Sequence, residues 1–218
     1  MKLTETSLRF ISGIIMLAVL IVAAYFERAM PSLHVIRWLS VAVVIGAIFE
    51  TIRCFTRTTI DVFQKSAVVF VLFTLWLFVM LKSAYVVGAR PWIMLWMLMI
   101  IVGADIGGWL FGMVFGGDKM WERISAKKTW AGQIGGIVCG TAMSLLYGLI
   151  GTGVATSNLL WVGISVSLLS QYGDLTASFI KRRLNIKDFS NIIPGHGGIL
   201  DRFDGWIYVL PLMWFVLR

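Results

Sequence analysis

Polar and apolar residues along this chain separate into long blocks instead of alternating over two or three positions. Apolar runs of about twenty residues, enough to cross ~30 Å of hydrocarbon as helices, occupy 8–26, 35–54, 66–82, 91–117, 131–153 and 158–180. A shorter run at 206–217 predicts a tilted or partial seventh span. The pattern predicts an all-α polytopic membrane protein with about six to seven transmembrane helices. One integral membrane domain is expected, with N-terminal helices over 1–90 and a more polar C-terminal region over 91–218. Lys2 and Arg9 ahead of the first run resemble a signal peptide, but no small-x-small cleavage pattern follows, so a retained first span is expected.

Composition agrees with this division. The 218 residues are 59% hydrophobic and 14% charged, outside the range of soluble domains. Ten Trp, fourteen Phe and eleven Met suit lipid-facing and interfacial positions. Cys54 and Cys139 give neither a disulfide framework nor a metal-binding spacing.

The net charge of +8 is distributed by side. Fourteen of the nineteen Lys and Arg fall in the N-terminus and the segments 53–65, 118–128 and 181–202. The other five lie at 27–37, 82–90 and the last residue. The biased set belongs on the cytoplasmic side, which places the N-terminus there and the uncharged loop 151–157 outside. Membrane orientation thus accounts for the basic charge, and no nucleic-acid partner is expected.

Seven of the eleven acids lie at or beyond residue 105. Asp174 precedes the basic cluster Lys181, Arg182 and Arg183, and so sits roughly 10 Å into the membrane at about 1.5 Å per residue. A carboxylate at that depth needs a polar cavity and a partner. Ser178, four residues on, shares its helical face, while Asp201 and Asp204 share another if their segment is helical. Asp105 is a further acid within a span, and Glu50 near the end of the second span is expected to be a snorkelling or paired residue. Clustered Asp without Cys or a second nearby His favours a hard cation such as magnesium. Lys127, Lys128 and Thr129 form a second candidate for phosphate contact. Glycines at four-residue spacing, 108/112/116 and 132/136/140, predict close helix packing, whereas Gly197 and Gly198 follow the turn-forming Pro194, Gly195 and His196 and could offer amides to a phosphate.

The run Ser178, Lys181, Arg182, Lys187, Asp188, Pro194, His196, Gly197, Gly198, Asp201, Arg202, Asp204 resembles the signature of the phosphatidate cytidylyltransferase (CDP-diacylglycerol synthase) family. Asp105 with its glycine-rich continuation, then Ser125, Lys127, Lys128, Thr129, Trp130 and Gly132, is similar to that family's second block, with Ala126 in place of the usual proline and Ala131 in place of a common glutamate. The resemblance covers roughly 100–210. It implies transfer of a cytidylyl group from CTP to phosphatidic acid, giving CDP-diacylglycerol and pyrophosphate, with magnesium and potassium beside it. It implies a catalytic role for the 91–218 region, with Asp174, Ser178, Asp201 and Asp204 catalytic and Asp174, Asp201 and Asp105 on the metal. Lys127, Lys128, Thr129, Lys181, Arg182, Lys187, His196, Gly197, Gly198 and Arg202 would bind substrate. A homodimer in a bacterial inner membrane, among membrane lipids, is the matching assembly and place. The same scaffold acting on another lipid, as in CDP-archaeol synthase or a polyprenol kinase, is the alternative reading; a cation transporter using the three Asp is another.

Overall fold

The computed structural model describes residues 5–152 and 157–218. Lys2 and positions 153–156 of the expected external loop lie outside the described residues. The elements are α1 (Glu5–Ala29), a 3-10 turn (Pro31–Leu33), α2 (Val35–Thr56), α3 (Ile60–Val87), α4 (Pro91–Val114), β1 (Lys119–Trp121), β2 (Ser125–Thr129), α5 (Trp130–Thr152), α6 (Ser157–Arg183), α7 (Leu200–Phe203) and α8 (Trp206–Val216). Among the described residues five helices, α1 to α5, are long and apolar enough to cross a membrane. The protein is an all-α, multi-pass membrane protein.

The expected sixth span is α6, whose 27 residues reach the length but whose Gln171, Asp174 and basic last turn dilute its apolar character. The expected seventh is α8, whose 11 residues cover only ~16 Å at about 1.5 Å per residue. Alone it is too short to span. Helix α3 exceeds its expected run at both ends, because its opening IDVFQK mixes polar with apolar residues. Pro91 stands at the first position of α4, where a missing N–H leaves nothing unpaired. That helix ends at Val114, and Gly116 and Gly117 then take φ of 58° and 88°. Gly116 therefore belongs to a chain reversal and not to the packing stripe, with nothing within 4 Å of where its Cβ would be.

The segment expected as a plain loop at 118–128 contains an antiparallel hairpin, with Lys119 opposite Thr129, Trp121 opposite Ser125 and an irregularity between. Thr129 joins this hairpin to α5: its Oγ1 accepts the Gly132 N–H at 3.1 Å as an N-cap.

The chain forms two compact units. Unit 1 comprises Met1–Pro91, Ile180–Phe203 and Leu210–Arg218; unit 2 comprises Trp92–Phe179 and Asp204–Val209. Residues 180–203, which the sequence groups with the C-terminal region, thus pack with the N-terminal helices. In unit 1, Val44 of α2 and Leu77, Met80, Ala84 and Val87 of α3 are buried, and Phe55 stacks on Phe70 with centroids 3.6 Å apart. In unit 2, glycine brings backbones together. A Cβ on Gly107 would lie 2.5 Å from Cys139 Cβ, and one on Gly132 would lie 2.7 Å from the Gly108 carbonyl oxygen. Small-residue stripes let α4 and α5 approach to this degree without steric loss.

Candidate active site

Unit 2 gathers one polar cluster on three elements. Alternation along β2 sends adjacent side chains to opposite faces, so Lys127 is exposed while Lys128 is half-buried. Lys128 Nζ lies 2.6 Å from Asp174 Oδ2 of α6 and donates to the Gln171 carbonyl at 3.2 Å. Ser178, one turn beyond Asp174, donates to its Oδ1 at 3.4 Å. Asp105 of α4 lies within electrostatic reach of both Asp174 and Lys128. The Asp204 carbonyl rests on Gly173, where a Cβ would collide with it, and Asp204 Oδ1 accepts the Gly205 N–H at 2.8 Å. Five sequence-predicted positions, Asp105, Lys128, Asp174, Ser178 and Asp204, are therefore brought together in this unit. Thr129 is buried at the α5 cap.

Unit 1 organises the signature segment that follows α6. Pro194 to His196 form a tight turn closed by Ile193 and Gly197, with the Ile193 N–H donating to the Gly197 carbonyl at 2.8 Å. Gly195 and Gly197 take φ of 76° and 88°, which a side chain would strain. Asp201, buried in α7, collects three donors. Its Oδ2 accepts the Phe189 and Gly198 N–H groups, each at 2.9 Å. Its Oδ1 pairs with Lys181 Nζ at 2.8 Å, and both side chains are largely buried. The Gly198 amide, a candidate phosphate donor, is thus held by Asp201, and the Gly197 amide donates to the Ile193 carbonyl at 3.1 Å. His196 Nδ1 lies 2.6 Å from Ser12 Oγ of α1, and the His196 carbonyl accepts from Arg202 Nε at 2.9 Å. Arg182 and Lys187 are exposed.

What holds this segment comes from a distant helix. Glu50 of α2 is 1% exposed and accepts Ser190 Oγ–H at 2.5 Å, Ile199 N–H at 2.8 Å and Leu200 N–H at 2.9 Å. Of the two expectations for Glu50, snorkelling or paired, the structure shows the paired one, with the carboxylate buried. Cys54, one turn on, donates to the Phe189 carbonyl at 2.6 Å. One turn earlier, a Cβ on Gly46 would lie 2.6 Å from Ile199 Cδ1. Residues 46, 50 and 54 form one strip at four-residue spacing, and their mixed chemistry hides it from any hydrophobicity pattern. Beside it, a cavity of about 660 Å³ is lined by Glu50, Arg53, Arg57, Asp188 and Asn191 among others.

Among the described residues no three His, Cys, Asp or Glu side chains gather into a ligand set. Magnesium commonly takes one or two carboxylates and completes its shell with water and substrate phosphate. Asp105 and Asp174 fit that mode, since among the described residues neither accepts a backbone N–H.

A profile of the cytidylyltransferase family matches residues 1–218. A phosphatidate cytidylyltransferase from Staphylococcus saprophyticus is 39% identical over 120 residues, covering 55% of this chain and 46% of that protein. One from Staphylococcus aureus is 42% identical over 121 residues, covering 55% and 46%. A third, from Bacillus subtilis, is 39% identical over 119 residues, covering 54% and 44%. The chain therefore spans about half the length of the curated relatives it matches. With the profile matched from end to end and the signature residues clustered as described, the chain belongs to the cytidylyltransferase family.

Proposed function

We propose that the protein transfers a cytidylyl group from CTP to phosphatidate, leaving CDP-diacylglycerol and releasing pyrophosphate. The observation that carries this reading is the Lys128–Asp174 pair with Asp105 within electrostatic reach, a cluster of charged side chains in a membrane unit whose other buried polar side chains are uncharged. An oxygen of the lipid phosphate attacks the α-phosphorus of CTP, and the α-phosphorus to bridging-oxygen bond breaks as pyrophosphate departs with the electron pair. The nucleophile is already an anion, so no strong base is required. The barrier is electrostatic, arising from bringing two phosphates together and stabilising the leaving group.

Lys128 and Lys181 meet this need by holding phosphate oxygens, aided by Arg182, Arg202 and the exposed Lys127 and Lys187. Ser178 orients Asp174 through their mutual hydrogen bond. Asp105 and Asp174 would hold magnesium, which neutralises triphosphate charge and eases departure of pyrophosphate. Asp201 is proposed as a further cation ligand through Oδ1, the oxygen that takes no backbone N–H. Within unit 2, Asp204 and Thr129 are assigned to support the Lys128–Asp174 pair, and within unit 1, His196, Gly197 and Gly198 to support the Lys181–Asp201 pair. A potassium ion, a homodimer, and an inner-membrane location with a cytoplasmic N-terminus complete the proposal.

The test is pyrophosphate release by the purified protein with CTP, phosphatidate and magnesium. Release that needs both substrates and stops with EDTA supports the reading. Absence of release from folded protein, with diether lipids and prenyl alcohols also inert, refutes it.

A further inference from the structure

Glu50 lies 149 positions before Ile199, in a helix to which the proposed chemistry assigns nothing, yet its carboxylate holds the stretch that presents Asp201. The short α7 begins at Leu200, so Ile199 stands at its cap position, and an isoleucine side chain has no oxygen with which to cap the amides at the start of a helix. Glu50 supplies both oxygens from α2. Oε1 takes Ile199 N–H and Ser190 Oγ–H, and Oε2 takes Leu200 N–H. The fit leaves no slack, because a Cβ on Gly198 would come within 2.7 Å of Oε2. Ser190 follows Phe189, and Leu200 precedes Asp201. Glu50 therefore fixes both ends of the loop whose amides, from Phe189 and Gly198, orient Asp201 toward Lys181.

We infer that Glu50 is a positioning residue for the reaction, setting the placement of Asp201 and Lys181 from the N-terminal half of the chain. The inference rests on the proposed cytidylyl transfer. Its physical basis is that a buried carboxylate with three donors and no cation among them has one geometry in which all its bonds are made, and any rotation leaves a buried amide unpaired. A small displacement of groups that align phosphates costs turnover more than binding.

The experiment compares Glu50→Gln, Ser190→Ala and Ser40→Ala in the pyrophosphate assay, with hydrogen exchange read at the Ile199 and Leu200 amides. Glu50→Gln turns an amide NH2 toward backbone N–H groups, and kcat is expected to fall roughly 10- to 100-fold while the KM for CTP moves by less than about threefold. Ser190→Ala removes one of the three bonds and should lower kcat about three- to tenfold with the fold intact. Ser40, buried in α2 and bonded to the Ala84 carbonyl at 3.1 Å, controls for helix packing, and its variant should keep wild-type kcat. Exchange at Ile199 and Leu200 should quicken in the first two variants and not in the third. An inactive wild type overturns the assigned reaction. An active wild type with unchanged kcat in Glu50→Gln overturns the positioning role alone. So does faster exchange without a loss of kcat. If Glu50→Gln cannot be obtained folded, Ser190→Ala decides: wild-type kcat there refutes the inference.

Discussion

The carboxylates of the two units are used in opposite ways. In unit 1, Asp201 and Glu50 each accept two backbone N–H groups and one side-chain donor, so their oxygens hold the protein to itself. In unit 2, Asp174 accepts from Lys128 and, over a longer distance, from Ser178, both side chains that can move. A carboxylate oxygen occupied by fixed amides is a structural joint. One paired with a flexible lysine can exchange that partner for a cation or yield it to a phosphate. By the count and kind of donors, Glu50 shapes the site through both oxygens, Asp201 keeps only its lysine-paired Oδ1 for exchange, and Asp174 can act through both.

The sharpest way to break this contrast is Asp174→Asn. It should abolish turnover, by about a thousandfold or more, while leaving insertion and unfolding behaviour near wild type. Near-normal activity would remove Asp174 from the chemistry. Asp201→Asn should show the complementary signature. Removing one partner of a buried pair costs about 3–5 kcal/mol, so its first effect is lower stability in SDS-induced unfolding, accompanied by lost turnover. Full stability with lost turnover would place Asp201 with Asp174 among the acting carboxylates.

Lys128→Ala lies between these. It should raise the KM for CTP about tenfold with a smaller change in kcat, measured by initial rates over a CTP titration. Gly107→Ala, on the face of α4 that packs against α5, should cost about 1–3 kcal/mol through overpacking, because the new methyl meets Cys139 and the Gly135 carbonyl. Its kcat, measured on folded protein, should not change. The smallest effect is expected for the exposed Lys127→Ala, within about threefold of wild type in KM.

Much of this was legible in the sequence. Apolar runs marked the helices because a bilayer requires roughly twenty such residues. Asp105, Lys128, Asp174 and Ser178 stood out because charge and hydroxyl are conspicuous among apolar neighbours. The glycine pairs announced close packing, although Gly116 fell outside it once φ turned positive. The hairpin at 119–129 was hidden, since three- and five-residue strands carry too little alternation to declare themselves. The partners of Glu50 were hidden for a deeper reason. They are 140 to 150 positions away, and a single glutamate at a span's end looks the same whether it reaches for water or for a distant amide.

The close approach of Gly198 to Glu50 carries a consequence for how such a chain can vary. A methyl group at 198 would meet the Glu50 carboxylate before anything else. Shortening residue 50 would make room at 198 but withdraw the acceptors of two amides, so neither position can change without altering what the other tolerates. The two sites are bound by epistasis across most of the chain's length, and a protein assembled by joining the N-terminal helices of one homologue to the C-terminal half of another inherits a working loop only if both residues come from compatible parents.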